Sequence, residues 1–341
     1  MDLSFSGRRF LVTGGTGFIG SSLVRALLHR GAIVRSFDND SRGSGRRLAA
    51  LGEGLESVTG DVRDAAAVAQ AVKGVDSVCH LAYVNGTEHF YNRPELVLEV
   101  AVKGILNVID ACVIHGVKDL VLASSSEVYQ QAARIPTDEK VPLTVPDPLN
   151  PRYSYGGGKI ISELLAINYG RNHFDRVAVF RPHNVYGPDM GYEHVIPQLA
   201  ARALTLAATT TGRLRLPIQG DGSETRSFIY IDDAIEGIIR VIGRGAHLGI
   251  YHVGTENEIS IAELATAIGR CIDREIEIVP SDRVAGGAVR RCPDVAKLRG
   301  LGFAPRVRLS EGLCRTVAWY AAAEPAPQPH WGEGEGKAVR R

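Results

Sequence analysis

The sequence predicts an α/β fold, a doubly wound parallel sheet joined to a smaller C-terminal lobe. Three observations carry that expectation. A short apolar run ends in a glycine-rich turn that opens a helix within residues 10–30, and strand-like and helix-like patterns then alternate to about residue 180. Hydrophobic residues make up 45% of the 341, enough for a full core.

Taken in order, residues 10–13 (FLVT) form a short apolar strand, and 18–30 carry apolar side chains at helical spacing. Residues 33–37 read as a second strand, and a third precedes Gly60-Asp61-Val62. Helix 65–72, strand 75–81, long helix 94–115 and strand 118–123 continue the alternation. Such βαβ units cross over right-handedly and give a parallel sheet covered on both faces. After Arg181 the texture changes. Clusters of Pro, Gly and polar residues at 182–191 and 212–227 separate short elements, although 228–231 and 250–253 again look like strands.

Composition narrows the ligand. Thirty-nine Lys and Arg against 38 Asp and Glu leave a formal net charge of +1, so no broad field favours nucleic acid or an anionic membrane. A small molecule held by local donors is expected instead. No run approaches the roughly 18 apolar residues of a membrane span, and the N-terminus lacks the organisation of a secretory signal. The five cysteines (Cys79, Cys112, Cys271, Cys292, Cys314) are odd in number and form no C-x-x-C pair, so buried reduced thiols and a cytoplasmic protein are expected. Neither metal-ligand spacing nor a G-x-S-x-G motif is present, and no metal is expected.

The glycines at 14, 17 and 20 lie between the first strand and the first helix. Gly14 suits the tight turn, Gly17 the approach of a pyrophosphate, and Gly20 the packing of helix on strand, while the helix N-terminus attracts the anion. Asp38 ends the second strand 21 residues after Gly17, where a carboxylate takes ribose hydroxyls and repels a 2′-phosphate, favouring NAD over NADP. Arg35 and Arg42 nearby read as surface arginines. Asp61 fits either an adenine contact or a helix cap. The chain thus divides into a dinucleotide-binding domain at 1–180, with sheet strands returning near 228–253, a mainly substrate-binding lobe at 181–320, and a tail at 321–341 whose composition predicts disorder.

Tyr155 and Lys159 stand four apart at the start of a helix, on one face. A phenol, with a pKa of about 10, acts as a base near neutrality only with positive charge beside it, which an ammonium and an oxidised nicotinamide provide.

With the loop TGGTGFIG (13–20), Gly60-Asp61-Val62, His80-Leu81-Ala82, the run Ala123 to Tyr129 (ASSSEVY), the Tyr155/Lys159 pair, RPHNVYGP (181–188) and GDGSETRSF (220–228), the chain resembles the extended short-chain dehydrogenases/reductases, specifically the nucleotide-sugar epimerases and dehydratases, over about residues 8–320. The resemblance implies a Rossmann domain that holds NAD against Gly14, Gly17, Phe18, Ile19, Gly20, Asp38, Asp61, Val62, Leu81 and Ala82. It also implies that Tyr155 takes the proton from the sugar O4 as hydride leaves C4, and that Lys159 holds the ribose and lowers the tyrosine pKa. Ser125 falls on the hydroxyl that binds O4, with Ser126 beside it. Asn184 falls on the substrate-loop amide, and Arg226 and Arg283 on diphosphate-binding arginines. A homodimer through helices 94–115 and 155–170 is implied as well.

Three departures accompany the match: Gly158 replaces a usual Ser, Ala101 an Asn, and Gln130 a Gly. Three glycines in succession (156–158) are expected to loosen the turn between Tyr155 and Lys159. The loop 190–197 is expected to cover the sugar and offers no second arginine for a carboxylate, while His183 and His194 read as packing or exposed histidines with a role in sugar specificity as the alternative. Glu127 bears on the outcome, since dehydratases and decarboxylases carry a Glu there. The reading favoured on sequence is an NAD-dependent nucleotide-sugar 4-epimerase. A 4,6-dehydratase, a nucleotide-uronate decarboxylase and a non-catalytic NAD(P)-binding protein stand as alternatives.

Overall fold

A computed structural model of the chain describes residues 3–282 and 288–323. Arg283 and all but the first three residues of the 321–341 segment therefore lie outside the described residues. Strand β1 (Arg9–Thr13) runs through the glycine turn into α1 (Phe18–Leu28), followed by β2 (Ile33–Asp38) and β3 (Leu55–Thr59). Helix α2 (Ala65–Val72) is capped by Asp64, whose carboxylate accepts from the Ala66 and Ala67 amides. Next come β4 (Ser77–His80), α3 (Thr87–Asn92) and α4 (Pro94–His115). Helix α4 opens with proline and stops at Gly116, whose φ of 70° ends it in the left-handed conformation, so its expected limits hold. Strand β5 (Asp119–Ala123), α5 (Ser154–His173), β6 (Arg176–Pro182) and β7 (Val185–Tyr186) complete this half.

The remainder alternates α6 (Val195–Thr209), β8 (Leu214–Gln219), β9 (Thr225–Ser227), β10 (Ile229–Tyr230), α7 (Ile231–Arg244) and β11 (Gly249–Val253). Then follow β12 (Glu258–Ser260), α8 (Ile261–Arg270), β13 (Ile276–Ser281), β14 (Arg290–Arg291), α9 (Ala296–Gly300) and α10 (Leu309–Ala322). Seven parallel strands form one sheet in the order β11-β6-β5-β4-β1-β2-β3. Side chains alternate across it. Leu11, Leu120 and Val179 enter the core under α2, α4 and α5, while Val12, Val121 and Phe180 enter the core under α1 and α7, which continues into the second lobe through Leu264 and Leu313. Strand order reverses between β1 and β4, which opens a crevice at their carboxyl ends.

Two sequence expectations fail. Cys271 and Cys314 are joined in a disulfide with their Cα atoms 5.0 Å apart, tying the end of α8 to α10. Cys79, Cys112 and Cys292 are the buried thiols. Forty-three residues separate the bonded pair, so only the packing of α8 on α10 brings them together. The three glycines do not loosen a turn either: they lie in the first turns of α5, and Gly156 and Gly158 are closely packed. A Cβ at 156 would come within 2.5 Å of the Gln130 amide nitrogen and 2.9 Å of the Glu127 carbonyl. Gln130, at a φ of 51°, fills the space that the glycine leaves.

Candidate active site

The crevice is a cleft of about 660 Å³ whose walls come from both lobes. On one side Gly14, with a φ of 72°, lies so close to the segment after β4 that a Cβ would sit 2.7 Å from the Ala82 nitrogen. A Cβ on Gly20 would overlap the Gly14 carbonyl. The first turn of α1 carries no side-chain cap at Gly17, which leaves its amides for an anion. Phe18 and Ile19 line the same wall, with Val62, Leu81 and Ala82.

Asp38 accepts from the Thr16 amide at 3.1 Å and the Asp40 amide at 3.0 Å, and it faces the cleft. Arg35 is turned away, bound to Glu56 and to the Ala71 and Lys73 carbonyls, so it offers nothing to a 2′-phosphate. Asp61 does not cap α2, a task that Asp64 performs. It lines the cleft and is held at about 2 by the hydrogen bonds of Arg63, with Asn39 also donating to it. The glycine cradle, the open helix end and the carboxylate of Asp38 at the end of β2 fit NAD.

On the other side, Asn150 caps a short turn at Pro151–Tyr153 that leads into α5, setting Tyr155 in its first turn. The Tyr155 phenol packs between the rings of Tyr83, 5.1 Å away, and Phe90, 5.0 Å away. Burial pushes it up to about 12, against a hydrogen bond from Ser125 and the charges of Arg42 and Arg291, with Glu127 opposing them. Lys159 donates to the Ala123 carbonyl at 2.7 Å, and burial brings it down to about 7 while Glu163 works the other way.

The strand end that follows Ala123 carries three serines into the site. Ser124 donates to Glu163, which forms a buried ion pair with Arg181 at 2.5 Å. Ser125 leaves the strand extended, and its Oγ accepts from the Glu127 amide at 3.1 Å, so Ser125, Ser126 and Glu127 all line the cleft. Glu127 is half-buried and paired with Arg291 at 2.5 Å. Burial alone would raise its pKa, yet the charges of Arg291, Arg152 and Arg226 hold it below the usual carboxylate range.

Sequence reasoning overlooked Arg152 and Arg291. Arg152 precedes Tyr155 by three residues, a helical spacing that could have drawn attention to it. Arg291 reaches Glu127 only because β14 pairs beside β9, with Arg291 opposite Arg226. Met190, Tyr192, Glu193 and His194 line the cleft, with burial lowering the His194 pKa. Asn184 borders both this cleft and an adjoining cavity of about 240 Å³, which is lined by Arg226 and not by Tyr155, Lys159, Ser125 or Glu127. Arg226 there donates to the Thr225, Ala288 and Val289 carbonyls. His183 is buried against His252, with ring centroids 4.7 Å apart, away from the cleft.

The NAD dependent epimerase/dehydratase family profile matches residues 10–254. The chain belongs to this family. UDP-glucuronic acid decarboxylase 1 of Arabidopsis thaliana is 32% identical over 315 residues, covering 91% of this chain and 69% of the relative. The dTDP-glucose 4,6-dehydratase of Streptomyces griseus is 32% identical over 321 residues, covering 91% and 93%. Among solved structures, the UDP-glucose 4-epimerase of Thermus thermophilus in complex with NAD superposes with a TM-score of 0.80 at 28% identity, covering 93% of this chain and all of that one. As an NAD-dependent epimerase/dehydratase, the protein is an enzyme with a Rossmann-type sheet. Among the described residues no helix is long and apolar enough to cross a membrane.

Proposed function

We propose that the protein decarboxylates a nucleotide-linked uronic acid, using NAD, through a ketone formed at C4 of the sugar. The observation that carries this reading is the cluster of Arg152, Arg291 and Glu127 beside Tyr155. Two guanidiniums at the reacting end of the cleft suit a carboxylated sugar, since a planar fork binds a carboxylate through two hydrogen bonds. NAD⁺, when bound, supplies the hydride acceptor and a positive charge that favours the Tyr155 phenolate.

Tyr155 Oη takes the proton from the sugar O4, with Ser125 hydrogen-bonded to that oxygen. A carboxylate β to the new C4 ketone leaves as CO₂, and the electron pair it leaves behind is drawn into O4, where Tyr155 and Ser125 donate. Arg152 and Arg291 orient the carboxylate, and Arg291 also holds Glu127 as an anion beside it. C5 then takes a proton from solvent in place of the lost CO₂, and as hydride returns to C4, Tyr155 gives its proton back to O4 in the closing step. The adjoining cavity, with Asn184 and Arg226, suits the nucleotide diphosphate.

A 4-epimerase is the second reading, supported by the full-length match to the T. thermophilus enzyme. Incubation with a panel of UDP-, dTDP- and GDP-linked hexoses and uronates, followed by mass and NMR, decides between them. A product lighter by CO₂ supports decarboxylation, an unchanged mass with inverted C4 supports epimerisation, and loss of water rejects both.

The outward sides of α4 and α5 expose Leu98, Val113, Ile114, Ile161 and Leu164, a surface suited to pairing with the same helices of a second copy. The homodimer proposed on this basis is rejected by a monomeric mass in sedimentation equilibrium.

A further inference from the structure

The segment after β4 carries Tyr83 into the wall of the cleft, against the start of α5. Three contacts join it to the reacting pair. The Lys159 ammonium lies over its ring, with Nζ 3.7 Å from the centroid. The ring stands edge-on to Tyr155, and its hydroxyl donates to the Tyr155 carbonyl at 3.3 Å. Room for that hydroxyl exists because position 158 is glycine and position 101 alanine. A Cβ at 158 would overlap the Tyr83 hydroxyl and approach the Ala101 methyl to 2.8 Å. Two of the departures from the family pattern, Gly158 and Ala101, are therefore one packing unit with Tyr83.

We infer that Tyr83 is a positioning residue, holding Lys159 as a cation under the first turn of α5 and so fixing the Tyr155–Lys159 pair. The inference rests on the acid–base reading of that pair and deepens it. The other groups around the ammonium leave this task open. On α5 itself stand Glu163 and Tyr155, and the negative charge of Glu163 is already engaged by Arg181 of β6. From β4 comes His80, kept neutral by burial and by the lysine's own charge, and bonded to Thr13. From β5 comes one carbonyl, that of Ala123, and from α4 the uncharged Ala101. The face of an aromatic ring attracts a desolvated ammonium that has few other partners. The Tyr83 phenol stays neutral, since burial raises its pKa well above the usual value.

The experiment follows the Lys159 ε-methylene by NMR titration in the purified protein, beside the pH profile of kcat. Tyr83→Phe keeps the ring and is expected to leave the Lys159 midpoint unchanged. Tyr83→Leu is expected to lower the Lys159 midpoint by about one pH unit and to move the alkaline limb of kcat down equally, about a tenfold loss above it, with KM for the nucleotide sugar unchanged. If Tyr83→Leu does not fold, Tyr83→Met, which fills the same space without a ring, carries the same expectation. An unmoved Lys159 midpoint in a folded Leu or Met variant overturns the inference. Gly158→Ser is expected to impair turnover, and Tyr83→Ala combined with Gly158→Ser to recover part of it; a fully active Gly158→Ser also overturns it. Turnover that survives Tyr155→Phe would refute the acid–base reading and leave the Lys159 titration unaffected, so the two failures are told apart.

Discussion

Glu127 and Arg291 form the most informative pair in the cleft, because burial and charge act on the carboxyl in opposite directions and charge wins. The carboxylate therefore persists to lower pH than an ordinary glutamate. Arg291→Gln removes the largest favourable charge and leaves burial to dominate, so the Glu127 pKa rises. The acid limb of kcat should then move up by about one pH unit or more, measurable in a pH-rate profile with the natural substrate. An acid limb that stays in place would show that Glu127 takes no part in the reaction. Tyr155 and Lys159 stand out in the sequence through their four-residue spacing on a helix only when it is taken with the glycine loop upstream. Arg291 does not stand out, because 164 residues separate it from the group it charges and only strand pairing brings them together.

The first turns of α5 show how neighbouring identical residues come to differ. Gly156 packs against Gln130 and the Glu127 carbonyl, whereas a Cβ on Gly157 would meet only Val145, at an ordinary 3.5 Å. Gly156→Ala should cost about 1–3 kcal/mol in chemical denaturation through overpacking. Gly157→Ala should gain about 0.5–1 kcal/mol, because it removes helix-opposing backbone freedom without a clash. Sequence alone treats the three glycines alike, and the expected loosened turn followed from that. The long helix α4 was legible to its last residue because its proline start, apolar stripe and glycine stop are all local signals. The elements of the second lobe are short and set by contacts distant in sequence: β9 has three residues and pairs with both β12 and β14. Local patterning carried little information there.

The second lobe is braced within itself by one means and tied to the first lobe by another. On the far side of the second lobe, the Cys271–Cys314 bridge closes a loop between α8 and α10. Reduction should lower stability by about 2–4 kcal/mol, visible as a fall in melting temperature that Cys314→Ser reproduces without reductant. Along the cleft the ties are ionic. Arg42 pairs with Glu193 at 2.5 Å, and Arg47 pairs with Asp189 at 2.8 Å, joining the loop after β2 to the loop before α6. Asp189→Ala should speed NAD dissociation about two- to fivefold in stopped-flow, and added salt should do the same to the parent protein. These bridges also bear on how the enzyme spends its time. A reaction that takes a hydride from a sugar and later gives it back has no need to exchange its dinucleotide between cycles. Every departure would instead leave a molecule idle until reloaded. Under the proposed reaction, ion pairs that flank the expected dinucleotide site thus favour long residence of the cofactor.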